Sequence, residues 1–325
     1  MTRTPSPRRG QVEPAPAPRR GLDGRPGARA RLGTPMVLAS AACFGTLPVL
    51  AKLAYASGLS ATQTLAFRFV LGAAGLLALA GVLRQDPRRL GLRRALQLVA
   101  LGMFGYAATS GTFFLALLRL PASLTELIAY IYPSLVAIGA LVFFRRRIGP
   151  RQAAALVVSF MGLSLLVGGL GAEAGTGGPA LLLAVASPVL YACYMLAGER
   201  LMRATPVILG SGLVHTGAAV TFVASLAITG SFRLPTRPAS WALLVVLAIV
   251  PSMLGISLFL AGLPRVGAAQ AALLSTFEPI VTVALAVSLL GDRLAPLQVV
   301  GAAAVIAAVV VVQLRRPATV PPMQP

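Results

Sequence analysis

Residues 121–152 read PASLTELIAYIYPSLVAIGALVFFRRRIGPRQ, and residues 267–298 read GAAQAALLSTFEPIVTVALAVSLLGDRLAPLQ. Set against each other at a shift of 146 residues, without a gap, Pro133 meets Pro279, Arg147 meets Arg293, Pro150 meets Pro296 and Gln152 meets Gln298. Apolar stretches align easily by chance, but composition does not produce coincident prolines, arginines and glutamines. Each stretch is also the right length for one purpose. A bilayer core is about 30 Å thick and a helix rises about 1.5 Å per residue, so roughly 20 apolar residues cross it. The pair therefore reads as two copies of one membrane helix, each with a mid-helix proline and a polar restart.

Outward from these copies, the chain divides into expected spans at 36–56, 61–83, 95–118, 121–143, 152–170, 179–199, 205–229, 239–262, 267–290 and 295–314. Short breaks carrying Pro, Gly or Arg separate them: Ser57-Gly58, Asp86-Pro87, Gly149-Pro150, the glycine-rich run 171–178, Arg237-Pro238 and Gly291-Asp292. The same shift maps the first span onto the sixth and the fifth onto the tenth. The expected fold is thus an all-α polytopic membrane protein of about ten transmembrane helices, arranged as two five-helix repeats at 36–170 and 179–314. An odd number of spans per copy makes the second copy enter the lipid from the opposite side. That inverted topology is common among secondary transporters and places a site where the repeats meet, near mid-membrane. Loops this short leave no room for a soluble catalytic domain.

Composition agrees. Of 325 residues 57% are hydrophobic and 11% charged, too little charge to coat a soluble domain. Residues 1–34 are rich in Arg, Pro and Gly and poor in large apolar side chains, so they read as a disordered basic tail, with a second tail at 315–325. No apolar core of a secretory signal precedes the first span, which is read as a retained helix. The net charge of +20 comes from the tail and short loops rather than from a nucleic-acid-binding face. With the N-terminus in the cytoplasm, the inside receives the tail arginines, Arg84, Arg88, Arg89, Arg93, Arg94, Arg145, Arg146, Arg147, Arg151, Arg200, Arg203, Arg265, Arg315 and Arg316. The outside receives Arg119, Arg233, Arg237 and Arg293. That bias orients both termini inside a cell (inner or plasma) membrane. Cys43 and Cys193 lie in apolar blocks and read as small core residues.

The duplicated stretch resembles the EamA repeat. In the second copy the pattern runs Ala268, Glu278-Pro279, Leu290-Gly291-Asp292-Arg293-Leu294 and Gln298, and Ala66-Phe67-Arg68-Phe69 resembles the family's Arg-Phe motif. The first copy departs from the family in carrying Arg146 where the acid stands, while the second has the shorter acid Asp292. The resemblance covers 36–314 and is to the drug/metabolite transporter superfamily. It implies a permease for small organic metabolites such as amino acids or drug-like compounds, with efflux as the expected direction, and cavity walls built from helices 1, 3, 4, 6, 8 and 9.

Ionisable residues inside a bilayer are rare because charge there is expensive, and they usually face the bundle interior. Five occur within the expected spans: Lys52, Arg68, Glu126, His215 and Glu278. Lys52 lies a turn from the outer end, where its stem can snorkel or its amine can enter a cavity. Arg68 and Glu126 enter adjacent spans from the same side to similar depth, so they are expected to pair, as a structural ion pair or as an outer gate. Glu278 precedes Pro279 at mid-helix, where a carbonyl without its usual N–H partner and a carboxylate lie together. It reads as a proton or amine site, or as a structural acid. Tyr132 is its counterpart before Pro133. On a regular helix Tyr130 and Tyr132 cannot share a face, so at most one is expected on the path. Tyr106, Thr109, Ser110, Tyr191, Tyr194 and Gln270 are further polar candidates, each readable instead as an interhelical bonding partner. Lone His215 is either a packed imidazole or a proton-coupling group. Pro133, Pro279, Asp292 and Arg293 are the structural marks of the motif.

No Gly-x-x-x-x-Gly-Lys-Ser/Thr loop and no His-Glu-x-x-His occur, so no cofactor, metal or enzymatic activity is expected. The expected partners are a small-molecule substrate, the lipid bilayer and protons, with no nucleic acid; the residues do not speak to oligomeric state. The alternative left open is a polytopic membrane protein that transports nothing, such as a membrane-embedded enzyme or a lipid-handling scaffold.

Overall fold

The computed structural model describes residues 26–144, 150–168, 178–203, 205–266, 271 and 274–313, and every regular element among them is helical. The first expected span forms α1 (Pro26–Gly45) and α2 (Leu47–Ala56), and the second α3 (Ala61–Val82). The third runs as α4 (Leu92–Ala100), a π-helical segment π1 (Leu101–Tyr106) and α5 (Ala107–Ala116). The fourth is split into α6 (Ala122–Ala129) and α7 (Tyr132–Phe144), and the fifth is α8 (Pro150–Gly168). The second half follows with α9 (Gly178–Arg203), α10 (Val207–Ile228), then α11 (Pro238–Leu247), π2 (Ala248–Leu254) and α12 (Gly255–Val266). It ends with α13 (Phe277–Leu285), π3 (Ala286–Leu290) and α14 (Pro296–Gln313). Six stretches are by length and composition able to cross a membrane: Leu32–Ala56, Ala61–Val82, Leu92–Ala116, Gly178–Glu199, Val207–Ile228 and Pro238–Leu263. Shorter apolar helices cover Ala122–Val136, Ala153–Leu166, Phe277–Leu290 and Pro296–Val311.

The N-terminal boundary differs from the sequence expectation. Residues 26–34, read as part of a disordered tail, are helical. Pro26 suits a helix start because its missing N–H would be unpaired there, and the following Ala, Arg and Leu are good helix formers, so the helix extends beyond its apolar part. Residues 1–25 and the 315–325 tail lie outside the described residues.

The irregularities recur at the 146-residue shift. The fourth span breaks at Tyr130 and Ile131, and the ninth turns at Thr276, the residue matched to Tyr130. The shift carries π1 onto 247–252, largely within π2. Pro150 and Pro296 each open a helix, α8 and α14. Packing follows the same exchange: α1 lies on α12 and α5 on α9, α7 on α9 and α1 on α13, while α3 pairs with α10 and α8 with α14. Swapping the two halves turns this set of neighbours into itself.

Close crossings use glycine. A Cβ on Gly102 would stand 1.9 Å from the Val214 carbonyl oxygen, and one on Gly217 1.9 Å from that of Val99, so π1, the end of α4 and α10 touch backbone to backbone. Large apolar side chains cover the outside, among them Ile228, Val82 and Phe104 at 85%, 78% and 74% exposed, which suits a surface facing lipid rather than water.

Candidate functional site

The site begins at the two proline breaks. Proline cannot donate a backbone bond and disfavours helix at the residue before it, so α6 ends at Ala129, the chain turns, and α7 restarts at Tyr132. The turn defeats the regular spacing on which the one-tyrosine expectation rested: the Tyr130 and Tyr132 rings meet at 6.0 Å, nearly perpendicular. The Tyr130 hydroxyl donates to the Ser275 carbonyl at 2.7 Å, immediately before the matching turn in the other half.

From Tyr132 a file of rings crosses the bundle. Tyr132 meets Tyr191 edge to face at 4.8 Å, Tyr191 stacks on Tyr194 at 5.7 Å, and Tyr194 stacks on Tyr106 at 5.3 Å. Tyr191 and Tyr194 sit three residues apart on α9 and therefore on one face. Tyr106 closes π1, where the widened turn directs it to α9 and α10. Beyond Tyr106 lie Phe69 at 5.3 Å and His215 at 5.5 Å.

Glu126 and Glu278 stand at the Tyr132 end of this file. They lie within electrostatic reach of each other, and Tyr130 and Tyr132 lie within reach of both. Tyr191 is within reach of Glu278. Glu126 is only 7% exposed, yet neither carboxylate has a hydrogen bond or ion pair among the described residues. The box draws Glu126, Tyr130 and Tyr132 from the first half and Tyr191 and Glu278 from the second.

Arg68 does not pair with Glu126. Its Nε donates to the Ser252 hydroxyl at 3.2 Å, and its guanidinium lies over Phe69 and Phe114 at 4.8 and 5.6 Å. Pro251 explains the attraction. Lacking an N–H, it leaves the Leu247 carbonyl without its usual helical partner, and the Ser252 hydroxyl donates to that oxygen at 3.3 Å while accepting from Arg68. The charge of Arg68 is thus held by a hydroxyl relay and two aromatic faces. His215, buried beside it, has Nδ1 2.8 Å from the Ser211 carbonyl, while Nε2 has no partner. Thr109 donates to the Ser187 carbonyl at 2.9 Å and Ser40 to that of Gly255 at 2.7 Å, tying α5 to α9 and α1 to α12. Ser110 is buried near this seam.

Asp292 performs a definite structural task. Its Oδ2 accepts from the backbone N–H of Ser123 at 3.0 Å and from the Ser123 hydroxyl at 2.8 Å. Pro121 precedes α6 and has no side-chain acceptor, so the cap of this helix comes from the other half of the chain. Lys52 lies within electrostatic reach of Asp292, and Arg293 is exposed. Cys43 is half-buried, but Cys193 is exposed on α9, which corrects its reading as a core residue: the face of α9 opposite the packed one carries it. Gln270 and Arg146 lie outside the described residues. Sequence reasoning missed Ser123, Ser252 and Ser275. A serine following Pro251, and one two residues into a helix begun by Pro121, were the available signals.

A model of the EamA-like transporter family matches the chain twice, at residues 31–168 and 178–314. The chain belongs to that family. As an EamA-like protein it is a multi-pass membrane transporter of the drug/metabolite transporter superfamily, with its acid–tyrosine box drawn from both matched repeats. It is 28% identical over 283 residues to the uncharacterized transporter YcbK of Bacillus subtilis (strain 168), across 84% of this chain and 89% of that one. A solved crystal structure with 22% identity aligns at a TM-score of 0.59 over 86% of this chain and 95% of its own, a likeness of fold.

Proposed function

We propose that this EamA-like protein is a secondary carrier that moves a small organic metabolite by alternating access. Two five-helix halves, threaded through the membrane in opposite senses, rock about the box formed by Glu126, Tyr130, Tyr132, Tyr191 and Glu278. The observation that carries this reading is that box: acids and tyrosines with no counter-charge among the described residues, gathered from both repeats inside the spans. An enzyme would need a reactive constellation open to one side. A carrier needs a polar site that either half can expose.

The exchange of neighbours between halves supports the five-plus-five arrangement, and the arginine bias supports cytoplasmic termini in the cell membrane. On this reading Asp292 and Ser123 lie at the outer end and couple the halves there. The solute is an organic metabolite of amino-acid or drug-like size, moved outward and coupled to protons. The pathway set is Glu126, Glu278, Tyr106, Tyr130, Tyr132, Tyr191 and Tyr194, with Arg68, Lys52, His215 and Gln270 at its margins.

Two measurements test it. Accessibility tags in residues 84–94 and 230–238 should report from opposite compartments; the same compartment rules out opposed threading. Proteoliposomes given a mixed metabolite pool, with and without a pH gradient, should accumulate specific solutes by mass spectrometry of the lumen. An unchanged lumen in every condition removes the carrier reading.

A further inference from the structure

Three polar links join the two halves at one end of the bundle, the end that carries residues 57–60, 230–237 and 291–295. Asp292 accepts from the backbone N–H and the hydroxyl of Ser123. The Ser240 hydroxyl donates to that of Ser57 at 3.0 Å. The Gln63 amide donates to the Arg233 carbonyl at 3.1 Å. Behind these links stands α6, in which every residue from Ala122 to Ile128 is buried. The first part of the fourth span is thus enclosed at this end, against α2, α9 and α13.

The duplication does not repeat this chemistry. The 146-residue shift carries Ser57 and Ser240 onto Arg203 and Arg94. Guanidinium groups only donate, so two arginines cannot bond to each other as two hydroxyls do. The same shift carries Asp292 and Ser123 onto Arg146 and Ala269, and Gln63 onto Leu209. The side chains that fasten this end therefore have no chemical equivalents at the matched positions of the other.

The depth of the links suits bonds that open and close. At a water-facing end a broken hydroxyl or carboxylate bond is replaced by one to water, at little net cost. In mid-membrane the same break would strand a polar group among apolar ones.

We propose that these links form a latch that holds the solute-free protein shut at its outer end, so that the acid–tyrosine box is loaded from the cytoplasmic side. The loading order deepens the carrier reading and rests on it and on its orientation; closure of this end rests on neither. When the halves rock, Asp292 and Ser240 exchange these partners for water, and α6 loses its cap.

The test uses the full chain in lipid nanodiscs, with Cys43→Ser and Cys193→Ser as background and Ser57→Cys with Ser240→Cys as the reporting pair. Without solute, oxidation by copper phenanthroline should close a disulfide in most molecules, read as protection from a thiol-reactive mass tag. Spin labels on Ala56→Cys and Thr236→Cys, exposed positions on opposite halves, should give a single short distance. Adding Asp292→Ala and Ser240→Ala to the labelled protein should spread that distance to longer values. In proteoliposomes the closed disulfide should slow solute movement at least tenfold, and reduction should restore it. Should the first pair fail to fold, Ser123→Cys with Asp292→Cys carries the test. A folded pair that stays unlinked without solute, or a closed disulfide that leaves movement unchanged, overturns the proposal while leaving the carrier reading intact. A disulfide and a short distance in a protein that moves no solute when reduced do the reverse: the closure stands and the carrier reading falls.

Discussion

Pro133 and Pro279 break matching helices at matching places, yet the residues before them differ: Tyr132 in one half and Glu278 in the other. The backbone consequence is shared, because both prolines lack the same N–H and strain the same preceding residue. The chemical consequence is not. One half supplies rings and the other a carboxylate, and Tyr130 of the first reaches the turn of the second through Ser275. The duplicated skeleton sets where a crevice can form, and the unduplicated side chains decide what it holds.

The strongest way to break this comparison is to impose the missing symmetry. Glu278→Tyr makes the two breaks chemically alike and should lower the rate of solute movement into proteoliposomes about 100-fold, equivalent to about 2.7 kcal/mol. The exchanged double variant, Tyr132→Glu with Glu278→Tyr, should recover at least tenfold of that loss, because the box then regains its acid from the other side. If the double variant moves solute no faster than Glu278→Tyr alone, the halves are not interchangeable around the site.

A second contrast concerns packing. Gly102 and Gly217 touch opposing backbone, whereas the 146-residue shift places Ala248 and Leu71 at the matched positions. Gly217→Ala and Gly102→Ala should each cost about 1–3 kcal/mol by overpacking, read as a lower thermal midpoint of the purified protein. Ala248→Gly, at the counterpart of Gly102, should cost no more than about 1 kcal/mol, the ordinary helix penalty of glycine. Equal losses at Gly102 and Ala248 would show that the two crossings are equally close.

A third contrast sets Asp292 against Arg146, its counterpart in the first copy. An acid can cap a helix N-terminus and an arginine cannot, since its guanidinium only donates and repels the positive end of the dipole. Asp292→Ala should cost about 1 kcal/mol, and Ser123→Ala rather less. The two losses should not add: a double-mutant cycle should return a coupling of about 0.5 kcal/mol or more. Additive losses would mean that the short contacts to Ser123 carry no stability.

How legible was this in the sequence? The helical class, the duplication and the family followed from block length and from the register of Pro133 with Pro279. Those signals are local or periodic, and tertiary structure does not rewrite them. Glu278 and the tyrosines could be singled out, because a polar group in an apolar helix has few bland explanations. Their partners could not. Arg68 was matched to Glu126 by depth alone, but depth does not fix azimuth around the helix. The deciding group was Ser252, directed by Pro251 on a span far along the chain. The closeness of Tyr130 to Tyr132 was hidden likewise, since the expectation assumed a regular helix where the chain turns. The start of α1 was misplaced because composition measures burial, whereas a helix can continue beyond its buried part.

The smallest expected effect belongs to His215, and its smallness is informative. Its Nδ1 faces a carbonyl oxygen, which only accepts, so Nδ1 carries a proton and donates to Ser211. That carbonyl lies four residues back on the same helix, so the bond serves the imidazole more than the backbone. Nε2 points among Phe69, Tyr106 and Gly72 with no partner. Phenylalanine would keep a ring in that place and remove an unpaired acceptor, at the loss of one bond of about 1 kcal/mol. His215→Phe should thus change stability by no more than about 1 kcal/mol, read from the thermal midpoint, and leave the pH dependence of solute movement unchanged. If the variant instead abolishes that pH dependence while solute movement persists, the titrating group is the histidine beside Arg68, and the contrast between an acid end and an aromatic end must be redrawn with proton exchange at the far end of the ring file.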